Sequence, residues 1–208
     1  MKKILLLLII FELITHSLKA QEVSPLTYSE VVQAEGVSKE ELYNRAKLWM
    51  ASAFVDSDEV LRDENRDGGY IMVKPLMEYN PRIFSGSANT KGYISYELNI
   101  TVKDGRYKYT LSNFRHKPTQ LNLPGATRIG TTYVATPVAS EKQLAAMRFG
   151  LITTEEEAPY IDRAKATIKW RNKVWADIKI QIDEYVQNLI PLIKDGMNNP
   201  APSEEEDW

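Results

Sequence analysis

The sequence has no cysteine among its 208 residues. That absence excludes disulfides, thiolate metal sites, a cysteine nucleophile and a lipidated N-terminal cysteine. Histidine is nearly as scarce, with 2 residues. Glycine and proline number 10 each, too few for a collagenous or low-complexity chain. Charge of one sign is lacking as well. The 26 basic and 28 acidic side chains leave a net charge of −2, which argues against a nucleic-acid partner. Long apolar runs are missing too. The longest, Ile4 to Phe11, falls short of the roughly 20 residues a helical membrane span needs, and Glu12 ends it.

What stands at that end reads as a leader. Lys2 and Lys3 precede the apolar run and Ala20 supplies a small residue, the pattern of a secretory signal peptide over residues 1–20. The expected cut falls between Ala20 and Gln21. Leu18, three residues before it, is larger than usual, so a cut after Ser17 is the alternative. Cleavage removes Lys2, Lys3, Lys19 and Glu12 and shifts the net charge from −2 to −4. The expectation is an exported protein, periplasmic or secreted, with neither a lipid anchor nor a membrane span in its mature part.

Residues 21–197 read as a single α+β domain. Tyr28 to Ala34 alternates as a first strand, and Gly36 ends it. Ser38 and Glu41 have capping-box spacing, with Val37 and Leu42 placed as the hydrophobic staple. Leu42, Ala46, Trp49, Met50 and Ala53 then recur at helical spacing to about Phe54, with Trp49 as the heaviest core anchor. Glu59 to Arg62 and Tyr70 to Tyr79 read as strands joined by Asp63–Gly69. Pro75 fits the second only at an edge or a bulge. Residues 80–92 have loop composition.

The clearest signal follows. Ile94, Tyr96, Leu98, Ile100 and Val102 alternate with polar residues, and Asp104-Gly105 supplies a two-residue turn. Pairing Lys103 with Arg106 sets Val102 opposite Tyr107, Ile100 opposite Tyr109 and Leu98 opposite Leu111, all on one face. The other face carries Glu97, Asn99, Thr101, Lys103, Arg106, Lys108 and Thr110.

From Lys117 to about Ala139 no period is sustained, although Thr131 to Ala135 has the composition of a short strand. Ser140 with Gln143 caps a brief helix that Gly150 closes. Thr154 with Glu157 caps a longer one, whose apolar stripe runs from Ile161 through Trp175, Ile178, Ile182 and Leu189 to Ile193. Pro191 bends or frays its end and Gly196 stops it. Residues 198–208 form an acidic tail that cannot bury a core and is expected to be disordered.

The order strand, helix, antiparallel strands, long helix comes with particular words: Glu41-Leu-Tyr-Asn-Arg-Ala-Lys-Leu-Trp49, Asp56-Ser-Asp-Glu-Val60, Val102-Lys-Asp-Gly-Arg-Tyr107 and Ile182-Asp-Glu-Tyr-Val186. With Leu189, Ile190 and Met197, these resemble a family of secreted bacterial proteins catalogued as domain of unknown function number 4468. The resemblance covers residues 28–116 well and the last helix loosely. It implies a TATA-binding-protein-like fold and an exported protein, but no activity and no functional residue. Sharing a fold with a DNA-binding protein implies nothing about DNA unless a site is present.

No catalytic motif appears. Asp63-x-Asn65-x-Asp67-Gly68 matches half of a calcium loop, but Lys74 stands where the bidentate Glu belongs, so a polar hairpin connection is the expected reading. Of the two histidines, His16 lies in the leader. His116 lacks a Gly-x-Ser-x-Gly elbow to serve and reads as a solvated loop residue. Glu40/Glu41, Asp56/Asp58 and Glu155–Glu157 fall at caps or turns. Trp170 and Trp175 lie on the long helix, where packing on the sheet is the default and a sugar platform the alternative.

The architecture expected from all this is an antiparallel sheet with the first helix and the long C-terminal helix on one face. A helix-grip barrel is the alternative. No catalytic residue, cofactor or metal is assigned. The expected function is a non-catalytic binding or assembly module whose open sheet face meets a protein or glycan of the cell envelope. An apolar-ligand carrier and a carboxylate-based hydrolase are the alternatives.

Overall fold

A computed structural model describes residues 23–54, 61–83, 89–118, 126–129, 132–135, 147–159, 161 and 167–199. The leader with its Ala20–Gln21 cut, the cap at Ser140 and Gln143, the Asp56/Asp58 pair and the tail beyond Asn199 lie outside those residues.

The central hairpin folds in the register its side chains require. Strand β5 (Gly92–Lys103) pairs with β6 (Arg106–Pro118), with Lys103 opposite Arg106, Ile100 opposite Tyr109 and Leu98 opposite Leu111. Gly105 takes the positive φ of 70° that the tight turn demands. Asp104 also reaches beyond the turn, where its Oδ1 accepts the Lys39 backbone N–H at 2.8 Å, at the start of the first helix. A carboxylate there complements the positive end of the helix.

Around this hairpin a seven-stranded antiparallel sheet forms in the order β1-β6-β5-β3-β2. Strand β1 (Tyr28–Gln33) lies along the outer edge of β6, and the short β9 (Gly150–Leu151) continues that edge at Arg115 and His116. Strand β2 (Leu61–Asn65) pairs with β3 (Tyr70–Val73), and β3 and β4 (Leu76–Tyr79) share the free edge of β5. The order has two ends, β1 and β2, so among the described residues the sheet is open and not the barrel of the alternative reading. Strands β7 (Ala126–Ile129) and β8 (Thr132–Ala135) make a separate hairpin, of which the expected strand near Thr131 is the second arm.

Two departures from regular pairing meet at Tyr96. The stretch Tyr70–Tyr79 is two strands rather than one, interrupted at Lys74-Pro75. Pro75 accepts from the Tyr96 N–H at 3.2 Å but has no N–H to return. On the other side of β5, the register with β6 shifts between Ser95 and Glu97, where Asn113 takes a φ of 56°. This is a bulge with a left-handed Asn, the residue that tolerates that conformation best after glycine. It reverses the facing of every later residue in β6. Phe114, His116 and Pro118 therefore turn inward, and Arg115 and Lys117 turn out.

The first helix, α1 (Lys39–Ala53), starts at Ser38, whose Oγ accepts the Glu41 N–H at 3.2 Å. It buries Leu42, Tyr43, Ala46, Trp49 and Met50. The long helix, α2 (Ile168–Asn198), begins well after the point that the Thr154 cap implies. Thr167 caps it instead, accepting from the Trp170 N–H at 3.3 Å. Pro159 explains the difference, since its ring would clash with a helical turn and it biases Ala158 away from helical dihedrals. Thr153 bridges to Pro25, while the Glu155 carbonyl accepts from Trp175 Nε1 at 2.8 Å and Lys179 Nζ at 3.0 Å.

At its other end α2 runs through both Pro191 and Gly196. Gly196 is not the stop that its helix-breaking character implies. A Cβ there would lie 2.1 Å from Trp49 Cδ1, so the glycine lets α2 seat against α1. Arg45 of α1 donates to the terminal carbonyls of Met197 and Asn198 at 3.1 and 3.4 Å, a cation at the negative end of the helix.

Both helices lie on the face carrying Leu98, Ile100, Tyr107 and Tyr109, as the alternation implies. Polar links anchor α2 there at three levels. Tyr79 donates to Asp177 at 2.8 Å, and the Tyr96 and Tyr185 hydroxyls are 2.8 Å apart. Glu30 of β1 accepts from Tyr109 at 2.5 Å and from Lys194 at 2.8 Å.

Candidate functional site

His116 is not a solvated loop residue. It lies in β6, 1 % exposed, because the Asn113 bulge turns it toward the core. Its Nε2 is 2.8 Å from the Thr90 carbonyl and its Nδ1 accepts the Phe149 N–H at 3.4 Å. Those partners assign the proton to Nε2 of a neutral ring. Burial pushes its pKa down to about 4, with the Thr90 carbonyl opposing and the Arg171 charge adding. The ring meets Tyr79 and Phe149 edge-on at 5.3 and 5.6 Å. A side chain so enclosed serves packing, not contact with a solvent-borne substrate.

The half calcium loop is a hairpin turn between β2 and β3. Asp63 accepts from the Tyr70 hydroxyl, Asn65 Oδ1 accepts the Gly68 N–H at 2.6 Å, and Lys39 Nζ donates to the Asp67 carbonyl at 2.5 Å. Of the side-chain oxygens the half-motif would offer, those of Asp63 and Asn65 are already engaged, and an ammonium sits at the Asp67 carbonyl. Among the described residues no cluster of three or more metal-ligating side chains forms. Other acids are also engaged within the fold: Glu40 with Arg66 at 2.8 Å, Glu41 with Arg45 at 2.7 Å. Trp175 is fully buried and offers no ring to a sugar, while Trp170 is half-buried against the core.

Among the described residues, the sheet face opposite the helices carries the polar side chains that the alternation implies. All seven residues expected there point to it: Glu97, Asn99, Thr101 and Thr110 half-buried, Lys103, Arg106 and Lys108 exposed. The sheet holds two shallow depressions of about 330 Å³ each. Val31, Lys103, Arg106 and Lys108 are among the residues lining the first, and Leu76, Tyr93, Arg115 and Lys117 among those lining the second. Between them the Asn113 amide links two charges, donating to Glu97 at 2.6 Å and accepting from Arg115 at 2.8 Å.

Half of this face escapes a reading of the sequence. Arg115, Lys117 and Tyr93 join it, and Val31 and Leu76 add exposed apolar surface at 52 % and 61 %. Continuing a strict alternation past Ser112 puts Arg115 and Lys117 on the buried side. The available signal is Asn113 itself, an αL-tolerant residue at the point where the period slips.

Residues 28–117 match the model of a family described as a domain of unknown function (DUF4468) with TBP-like fold. The chain is similar to the crystal structure of a TBP-like protein from Parabacteroides distasonis ATCC 8503, with a TM-score of 0.50 and 20 % identity. That alignment covers 85 % of this chain and 94 % of the other. It is also similar to the crystal structure of a DUF4468 family protein from Bacteroides ovatus ATCC 8483, with a TM-score of 0.47 and 11 % identity over 88 % and 95 % of the two chains. A comparison with curated proteins gave no match.

Proposed function

Proceeding from the match of residues 28–117 to the DUF4468 model, described as having a TBP-like fold, we propose that the chain is an exported, non-catalytic binding or assembly module of the cell envelope. Its open sheet face engages a protein or glycan partner there. The observation that carries this reading is the contrast between the faces of the β5–β6 pair. One is sealed by α1 and α2. The other presents Glu97, Asn99, Thr101, Lys103, Arg106, Lys108 and Thr110 to solvent on strands that are hydrogen-bonded along both edges. The backbone of such a frame needs little further ordering on binding, and that lowers the entropic cost of association.

Export is supported by the Lys2-Lys3 head, the apolar run and Ala20. Sequencing the protein from its native host is expected to begin at Gln21, or at Leu18 under the alternative cut. An intact Met1 on cytosolic protein would overturn it.

The face itself is tested by substitution. Replacing Asn99, Lys108 and Thr110 together by alanine should barely move the melting temperature, since surface changes of this kind each stay within about 0.5 kcal/mol. The same variant is expected to lose partners that the parent captures by crosslinking in the native envelope. Retention of the full set of crosslinks would show this face to be solvated sheet only.

A further inference from the structure

The open face carries a local excess of cations: Lys103, Arg106, Lys108, Arg115 and Lys117 are all exposed on it. On the helix side several cations are paired, Arg45 with Glu41, Lys47 with Glu64 at 3.1 Å and Lys194 with Glu30, while Lys179 donates to the Thr154 and Glu155 carbonyls. On the open face the acids are the engaged partners. Asp63 accepts from the Tyr70 hydroxyl, Glu78 pairs with Lys91 at 3.3 Å, and Glu97 accepts from Asn113 at 2.6 Å. Lys103, Arg106, Lys108 and Lys117 make no ion pair with any described residue, and Arg115 donates to the neutral Asn113. Five cations without an ion pair to a described residue thus share this one face. They sit in two groups, one at each depression. Thr101 and Ser95, which line one each, are six residues apart on β5, or roughly 20 Å at strand rise.

Between the two groups lie the hydrogen-bonding side chains of Asn99, Thr110 and Ser112 and the Glu97 carboxylate, which accepts from the Asn113 amide, with the exposed Tyr93 ring at one end. Both central strands are already paired on both edges, so this face has no backbone N–H or C=O to offer an extended peptide. Whatever binds is read by side chains alone. Hydroxyls and amides matching other hydroxyls, a flat ring and spaced cations together describe a surface for a polymer of hydroxylated, anionic units.

We propose that the open face binds an acidic polysaccharide, with anionic groups held at the two cationic ends and sugar hydroxyls read by the polar residues between. This rests on the binding-module reading above and names the chemistry of the partner.

The test is calorimetric titration of the full mature chain with length-defined oligogalacturonate, oligoalginate and chondroitin sulfate. Neutral dextran, poly-glutamate and a DNA duplex serve as comparisons. At least one acidic glycan is expected to bind, and oligomers long enough to span both depressions should bind more than about tenfold tighter than ones that reach a single group. K108Q and K117Q should each weaken binding severalfold, and the double variant by more than about tenfold, with unchanged melting temperature and with affinity falling as salt rises. Three results would each overturn the proposal: no acidic glycan binds, poly-glutamate or DNA binds as tightly at equal charge, or the double variant binds like the parent. If the glycan assay fails while envelope crosslinks still depend on Asn99, Lys108 and Thr110, the glycan assignment falls and the binding-module reading stands. If both fail, both fall.

Discussion

Gly196→Ala is expected to destabilise the protein by about 2 kcal/mol, although alanine is the better helix former. The intrinsic preference favours alanine over glycine by about 1 kcal/mol in a helix interior. Against it stands the Trp49 ring. The added Cβ would lie 2.1 Å from Cδ1, 2.4 Å from Cγ and 2.9 Å from the Trp49 Cβ itself, so turning the indole about its side-chain bonds cannot relieve the whole clash. Helix must move from helix, and overpacking of this kind costs about 1–3 kcal/mol or more. Arg45 loses its alignment with the Met197 and Asn198 carbonyls in the same motion. Urea denaturation of G196A, W49A and the double variant separates the terms. Trp49→Ala alone should cost about 3–5 kcal/mol as a buried aromatic truncation. The double variant should lose at least about 1 kcal/mol less than the sum, because the cavity admits the new methyl group. A G196A variant as stable as the parent, or strict additivity, would contradict this account of the helix seam.

Acidification should expose the buried histidine. In the folded chain His116 has a pKa of about 4, against 6.5 for the ordinary side chain. The folded value is the lower one, so the unfolded chain binds the extra proton first as pH falls. The stabilisation is therefore complete above pH 6.5 and is lost progressively between 6.5 and about 4, by about 3 kcal/mol in all. The carboxylates follow at lower pH. Lys194 and Tyr109 hold Glu30 below its usual range, and Lys47 and Tyr43 do the same for Glu64, so their contributions are lost as pH falls below about 4.5 and through the folded values. Unfolding free energies measured from pH 7.5 to 4 should show the slope in the parent and lose it in His116→Gln. The amide can donate to the Thr90 carbonyl and accept from the Phe149 N–H without titrating. A slope that persists in that variant would place the titrating group elsewhere.

Pattern and turn chemistry are local properties, and where they govern, the linear chain is legible. The Ser38 cap, the Asp104-Gly105 turn and the register from Lys103–Arg106 to Glu97–Ser112 all follow from neighbouring residues, and all are present. So is the assignment of Leu98, Ile100, Tyr107 and Tyr109 to the covered face. Where capping motifs compete, local reading fails. Thr154 and Glu157 have the spacing of a helix start, but Pro159 overrides them and the helix waits for Thr167.

By itself, then, the sequence determined the α+β class, the absence of thiol chemistry, the central hairpin and which of its faces is buried. Those depend on composition and on a period-two alternation that any half-buried strand must obey. Tertiary structure alone decided three further things. Gly196 became a contact surface because a residue far earlier in the chain, Trp49, occupies the space its side chain would fill. His116 became a core residue because one left-handed Asn113 inverted the facing of the strand after it. The same inversion carried Arg115 and Lys117 out beside Tyr93, giving the open face its second cationic end. A single bulge is a backbone event of one residue, yet it reassigns every side chain downstream, and only the strands packed on either side hold it in place.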